Sequence, residues 1–508
     1  MRIFSLLFLL AGLCSAPIIA QDKPDLDVIA QIREEGFQRS QVMDIVGYIT
    51  DVHGSRLVGS LGIKKAQKWA KVKMEEIGLE NTIIEPIIDH GASWDNEYIS
   101  IHMLEPGYYP MQGFPLAYTP GTKGKITAPV VIADINSTQD FVKYEGTLKN
   151  KIVLISPLLV INPTVPIVAN RRTEENLRSL AEPSFPGPAQ NRSKATIPNQ
   201  VSAEERLDFL KQEGASLVIE CNRGRLGVVR TYARPGCKKD GWSREGMVNS
   251  IPMISVLPEQ YNRMYRVIKR DIPVKLEVEI RNRIGDQTQV NNVIGEIPGT
   301  DLKDEIVMLG SHFDSWHTSP GATDNASGCS VMLEAMRILK AIDVKPRRTI
   351  RFALWSSEED GIRGSSAYVK KYFGDPNTGI QPGYNKFSVY YNMDYSIGQF
   401  RGIYMQGNEF VRQIFTNWTG LFNDLGMTTV SIRGVGSTDH VPFDKAGLPA
   451  FQFLQDRVGQ GTGHTNLDFY DNIVPEDLMK NSVIMASFVY LSSMMDEKIP
   501  RKKFIPVQ

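Results

Sequence analysis

Beyond Gln289, short apolar runs alternate with longer stretches whose apolar positions recur every three or four residues. The runs at 291–296, 305–311, 349–355, 387–394 and 448–454 predict strands buried on both faces. The periodic stretches at 327–341, 363–373, 408–425 and 475–495 predict the helices between them. Such alternation builds a doubly wound α/β sheet. Upstream, Ile29, Ile32, Val42, Ile45 and Ile49 keep helical spacing, with a break near Gly36. A second stripe, Ile63, Ala66, Trp69, Ala70 and Ile77, predicts a helix over 61–77 capped by Gly78. The SRLVGS segment between them (55–60) reads as a loop, and strand-like segments follow at 81–88 and 97–103.

Between 113 and 289 the pattern changes to short β runs (130–135, 151–157, 215–220, 251–256, 274–280) separated by Gly, Pro and Asp. Helical patterns sit among them at 203–213 and 258–269. Residues 157–200 form a proline-studded insertion with Arg171, Arg172 and Arg192. Two readings stay open for it: a loop reaching over a neighbouring site, or a mobile segment. The expected organisation is a signal peptide at 1–20, the first part of a catalytic domain at 21–112, an inserted β-rich domain at 113–289, and the rest of the catalytic domain at 290–508.

A chain of 508 residues needs two or three domains. Its 57 basic and 57 acidic residues cancel, so no nucleic-acid partner is called for. Arg2, the apolar run IFSLLFLLAGLC and the small residues up to Ala20 read as a secretory signal, too short to span a bilayer. The processed chain is expected outside the cytoplasm, secreted or periplasmic, with no membrane attachment. Of the cysteines that remain, Cys221 and Cys237 could pair, whereas Cys329 reads as a small buried hydrophobe. No CxxC is present, which dismisses a cysteine zinc site.

The candidate chemistry follows the predicted strands. His312 and Asp314 follow the run at 305–311, and Asp324 lies in the loop before the helix at 327. Glu358 and Glu359 follow the run at 349–355, Asp394 ends the next, and His464 lies in the loop after the last. In an open parallel sheet these positions share one edge. The imidazoles and carboxylates of His312, Asp324, Glu359, Asp394 and His464 suit a pair of divalent ions, one carboxylate bridging and a position left open for water. Zinc fits the mixed set best, with manganese and cobalt as alternatives. Glu358, beside a ligand, is free to take a proton from that water, and Asp314 is expected to accept the second ring N–H of His312.

The segments HFD (312–314), GATDNASG (321–328), SSEEDG (356–361), NMD (392–394), STDH (437–440) and GHTNLDFYD (463–471) resemble the motifs of the co-catalytic di-zinc exopeptidases. That family includes secreted aminopeptidases and plasma glutamate carboxypeptidase. The resemblance covers roughly 26–108 and 289–498. It implies a mixed-sheet α/β catalytic domain with two Zn2+ per chain, His312 and Asp394 holding one and Glu359 and His464 the other. Asp324 would bridge them, Glu358 would be the general base, and the Asp324–Asn325 peptide would be cis. The stretch 113–289 resembles a protease-associated domain, which in relatives can border the substrate cleft, although the proline-rich insertion is foreign to that pattern.

One departure from the family concerns the oxyanion. Val435 and Gly436 stand where some relatives carry a tyrosine, so His440 is expected to donate to the oxyanion or else to buttress the metal site with Asp439. The implied substrate is a peptide or dipeptide, with aminopeptidase action favoured by family frequency. Carboxypeptidase action would need a basic group, for which Arg363, Arg433 and Arg457 are the candidates. A glutaminyl-cyclase-like acyltransferase with one zinc, and a non-catalytic binding protein on the same scaffold, are the alternatives. Homodimerisation stays open. The lack of GxSxG argues against a nucleophile-elbow serine hydrolase.

Overall fold

Two long antiparallel strands, Glu80–Glu105 and Lys275–Ile297, run side by side through the protein and join its two halves. The computed structural model describes residues 24–161, 171–183, 199–222, 224, 226–394, 398–458 and 461–503; the expected signal peptide lies outside them. At one end of the long pair, Val293–Ile297 bonds to the strand Arg348–Trp355. At the other, Lys275–Val278 bonds to Ile126–Pro129. A single mixed sheet therefore passes from the catalytic half into the β-rich half.

In the catalytic half the strand order is Thr429–Ser431, Phe400–Tyr404, Ala450–Gln455, Phe387–Asn392, Leu302–His312, Arg348–Trp355 and Lys275–Ile297. Ala450–Gln455, Phe387–Asn392, Leu302–His312 and Arg348–Trp355 run parallel, so their C-terminal ends open on one edge. Two-residue alternation divides their side chains. Val307, Leu309, Ile350, Phe352 and Leu354 enter one core with the helices Ser327–Ala341 and Pro475–Met494. Met308, Ala353, Trp355 and Tyr390 enter a second, covered by Arg363–Tyr372 and His440–Lys445. Burial on both faces explains why these strands read as continuous apolar runs. The doubly wound catalytic domain expected from the sequence is present.

Several expectations shift. The break near Gly36 falls instead between the helices Leu26–Gln38 and Val42–Gly47. Gly36 lies in the last turn of the first helix, packed against the helix Pro475–Met494, where an added Cβ would meet Val483 Cγ2 at 2.4 Å. The strands Phe400–Tyr404 and Thr429–Ser431 were missed, and the helix read at 408–425 covers only Arg412–Gly420. The segments 81–88 and 97–103 are one strand. Ile101 and Met103 pack in the β-rich core with Val278 and Ile280, so the chain enters that half before position 113. Cys221 and Cys237 are both free thiols, buried in different clusters, and no disulfide links them. No described helix is long and apolar enough to cross a membrane.

The described part of the insertion reaches over the catalytic half. Arg171 pairs with the buried Asp456 and Asp477 at 3.1 and 2.9 Å. Helix Glu174–Ala181 then lies beside Thr429–Ser431, with Leu177 against Tyr404 and Leu454.

Candidate active site

His312, Asp324, Glu359, Asp394 and His464 converge at the C-terminal edge of the parallel strands, in two groups that share Asp324. His312 ends its strand, fully buried, with Nε2 3.1 Å from Asp394 Oδ1 and 3.2 Å from Asp324 Oδ1. The second oxygen of Asp324 lies 2.9 Å from His464 Nε2, which is 3.0 Å from Glu359 Oε1. The Asp324–Asn325 peptide is cis, as the family resemblance implied. Gly328 follows because nothing larger fits: a Cβ there would meet Asn325 Oδ1 at 2.3 Å.

The electrostatics show a need for positive charge. Burial opposes protonation of His464, yet Asp324 and Glu359 push its pKa up to about 11. Burial opposes protonation of His312 as well, but Asp394 and Asp324 hold its pKa well above the usual range. Burial, followed by the charge of Asp324, pushes Glu359 up to about 7. Glu359 Oε1 is buried and makes no hydrogen bond, although it lies beside His464. A concave set of oxygens and imidazole nitrogens with an orphaned carboxylate oxygen and surplus negative charge is what a pair of divalent cations would satisfy.

The supporting residues depart from expectation in two places. Asp314 does not orient His312 through its carboxylate. The ring Nδ1 faces the Asp314 main-chain carbonyl at 3.0 Å, with the nearer carboxylate oxygen at 3.8 Å. That carboxylate instead accepts the amide N–H groups of Glu358 and Glu359, each at 3.2 Å, because the two loops run side by side there. His440 does not face the cavity as an oxyanion donor. It is fully buried, and its Nε2 meets the Val435 carbonyl at 3.0 Å and the Gln406 side chain. Burial pulls its pKa down to about 4, so it stays neutral and holds the 435 loop.

Sequence reasoning also missed residues that build the site. Asp468 accepts the amides of Thr323 and Asp324 at 2.7 and 3.1 Å; it lies inside the GHTNLDFYD motif, so a signal existed but no role was read from it. Trp316 donates its ring N–H to Glu359 Oε2 at 2.9 Å. From the β-rich half, Tyr232 stands edge-on to His464 at 5.8 Å, and Arg230 donates to the Gly463 carbonyl at 3.2 Å. Arg56, in the segment read as a plain loop, is fully buried and donates to the carbonyls of Phe313 (2.7 Å), Gly54 (2.8 Å), Pro320 (2.5 Å) and Gly321 (3.1 Å). A cavity of about 370 Å³ opens before the cluster, lined among others by Glu358, Tyr404, Arg172 and Arg457. Of the three basic candidates, only Arg457 lines it. Arg363 bonds to the Asp89 carbonyl and Arg433 to the Ser179 carbonyl.

Known proteins share this architecture. Residues 292–489 match the model of peptidase family M28. Carboxypeptidase Q of Mus musculus is 24% identical over 469 residues, covering 92% of this chain and 88% of its own. A peptidase M28 precursor from Shewanella amazonensis superposes with a TM-score of 0.67 at 23% identity, covering 94% of this chain and 98% of that one. BSAP, a zinc aminopeptidase from Bacillus subtilis, gives a TM-score of 0.58 at 21% identity, covering 92% and 98%. With the motif residues gathered at the strand ends, residues 292–489 are the part of the chain that carries the likeness to peptidase family M28.

Proposed function

We propose that this protein is an exported, metal-dependent exopeptidase that hydrolyses short peptides at a chain end. His312, Asp324 and Asp394 would hold one cation, and Asp324, Glu359 and His464 a second, zinc by preference for this mixed nitrogen and oxygen set. The observation that carries the reading is the single carboxylate of Asp324, whose two oxygens lie 3.2 and 2.9 Å from two different imidazoles. Cations bound there supply Lewis acidity to a peptide carbonyl and make water acidic enough to ionise near neutral pH. Export rests on the leader-like residues 1–20 alone.

The chain's own groups do the remaining work. Glu358 lines the cavity beside these residues. Burial, and then the nearby Asp394, Asp439 and Glu359, push its pKa up to about 10. Positive charge beside it lowers that value toward the working pH. Glu358 can then take a proton from water and deliver it to the leaving amine. Asp314 fixes the backbone of Glu358 and Glu359, so base and ligand keep their separate directions. We read the β-rich half as a protease-associated domain acting as a wall of the cleft, a reading supported by Tyr232 and Arg230.

The test is hydrolysis of free-amine dipeptides, aminoacyl anilides and N-blocked peptides, with and without a chelator. Turnover lost on chelation and restored by zinc, with two ions per chain, is the expected result. A protein loaded with two zinc ions that turns over none of these substrates would overturn the proposal.

A further inference from the structure

The cavity is lined by two kinds of charge. Beside Asp324, Glu358, Glu359, Asp394 and His464, its lining includes Arg172, Asp456 and Arg457. Arg172 comes from the insertion and is built in. Its main-chain N–H bonds to Asp456 Oδ1 at 2.9 Å, its Nε to the Gln455 carbonyl at 2.6 Å, and its Nη1 to Asn176 Oδ1 at 2.8 Å. The adjoining Arg171 clamps the strap to Asp456 and Asp477. Asp456, the carboxylate next to Arg457 in sequence, is already engaged by Arg171 and Arg401 at 3.1 and 3.4 Å. Arg172 Nη2 and the exposed Arg457 have no hydrogen-bond partner among the described residues. Burial, and the positive charges of Arg457 and Arg401, pull the Arg172 pKa down. Two arginines lining one small cavity, beside an Asp456 already held by Arg171, Arg401 and the Arg172 main-chain N–H, form a receptor for a planar anion.

Resting on the exopeptidase reading above, we propose that Arg172 and Arg457 anchor the α-carboxylate of a short peptide whose scissile carbonyl lies at the metal-ligating cluster. A volume of about 370 Å³ is at the small end for ligand sites and suits a dipeptide or a C-terminal residue. The insertion then supplies specificity, and the preferred substrates carry a free C-terminus. Peptides extended far beyond the cleaved bond are disfavoured, contrary to the aminopeptidase preference drawn from family frequency.

The experiment compares a dipeptide, its C-terminal amide, and an amidated dipeptide with an acidic side chain in the second position. The wild type should favour the free acid over the plain amide by about tenfold or more in kcat/KM, expressed mainly in KM. Arg457→Ala should raise KM for the free acid about ten- to a hundredfold and for the amide less than threefold, with kcat little altered. Arg457→Lys should recover part of the loss, and Arg172→Lys, which keeps the charge but not the fork, should show the same selective rise. Equal use of acid and amide by the wild type, or equal losses on both in Arg457→Ala, would overturn the anchor. Full recovery of turnover by the acidic side chain on an amidated peptide would overturn the α-carboxylate assignment. Failure to hydrolyse all three would instead count against the exopeptidase reading itself.

Discussion

Arg56→Met is the substitution whose effect the geometry fixes most closely. The guanidinium is fully buried and donates to four carbonyls within 3.1 Å, three of them on the 313–321 loop. That loop begins beside His312 and leads into Asp324, so one side chain tethers the backbone between two of the proposed cation ligands. Each hydrogen bond to a charged donor contributes about 1.5–3 kcal/mol, but desolvating the guanidinium offsets much of the sum. Methionine fills similar volume and leaves the carbonyls without donors. The net loss should be about 3–5 kcal/mol, the range for removing one partner from a buried charged network. Because the loop then samples more positions, cation affinity should also fall about ten- to a hundredfold, as when the outer supports of ligands are removed. Denaturant midpoints of the metal-free protein would report the first effect, and zinc titration against a competing chelator the second. A variant within 0.5 kcal/mol and threefold of wild type in both would refute the tethering role.

Glu358→Gln keeps the shape of the proposed base and removes its proton chemistry. Turnover should fall about a hundred- to ten-thousandfold with two cations still bound; a variant within threefold of wild type would exclude Glu358 as the base. Desolvation of the buried His90 and His440 and of the half-buried His317, helped at His90 by the charge of Arg363, pulls their pKa values from near 6.5 to about 3, 4 and 4 in the order His90, His317, His440. Since the unfolded chain takes up these protons first, stability is complete above pH 6.5 and declines as pH falls toward 4, by roughly 3 kcal/mol per histidine. Unfolding midpoints measured from pH 7 to 4 should show this slope, and His440→Gln should flatten it; an unchanged slope would mean His440 is already compensated.

The candidate site residues were legible because the parallel strands that carry them are buried on both faces. Their apolar runs stand out, and the polar residue ending each run marks one shared edge. His312, Glu359 and Asp394 lie at or just beyond such run ends, and Asp324 and His464 lie in the loops that follow two of them. The misread contact of Asp314 and the oxyanion role considered for His440 have a different cause. Sequence spacing says that Asp314 is near His312 but not that its carboxylate turns toward the amides of another loop. Nor does it say that the His440 ring is turned inward onto Val435.

Local pattern thus set the four parallel strands, most of the helices between them and the candidate ligating set, because periodicity and strand ends are properties of contiguous residues. Tertiary contact alone decided the rest. The two long strands are interrupted in pattern by Gly91 and by charged residues, and they become continuous only by pairing with each other. Arg56 finds its carbonyls some 260 positions along the chain, at separations of 257, 264 and 265 residues. Arg172 reaches the cavity because Asp456, Asp477 and Gln455 hold the insertion down. Such partnerships depend on which surfaces meet after folding, and no window of the sequence contains both members.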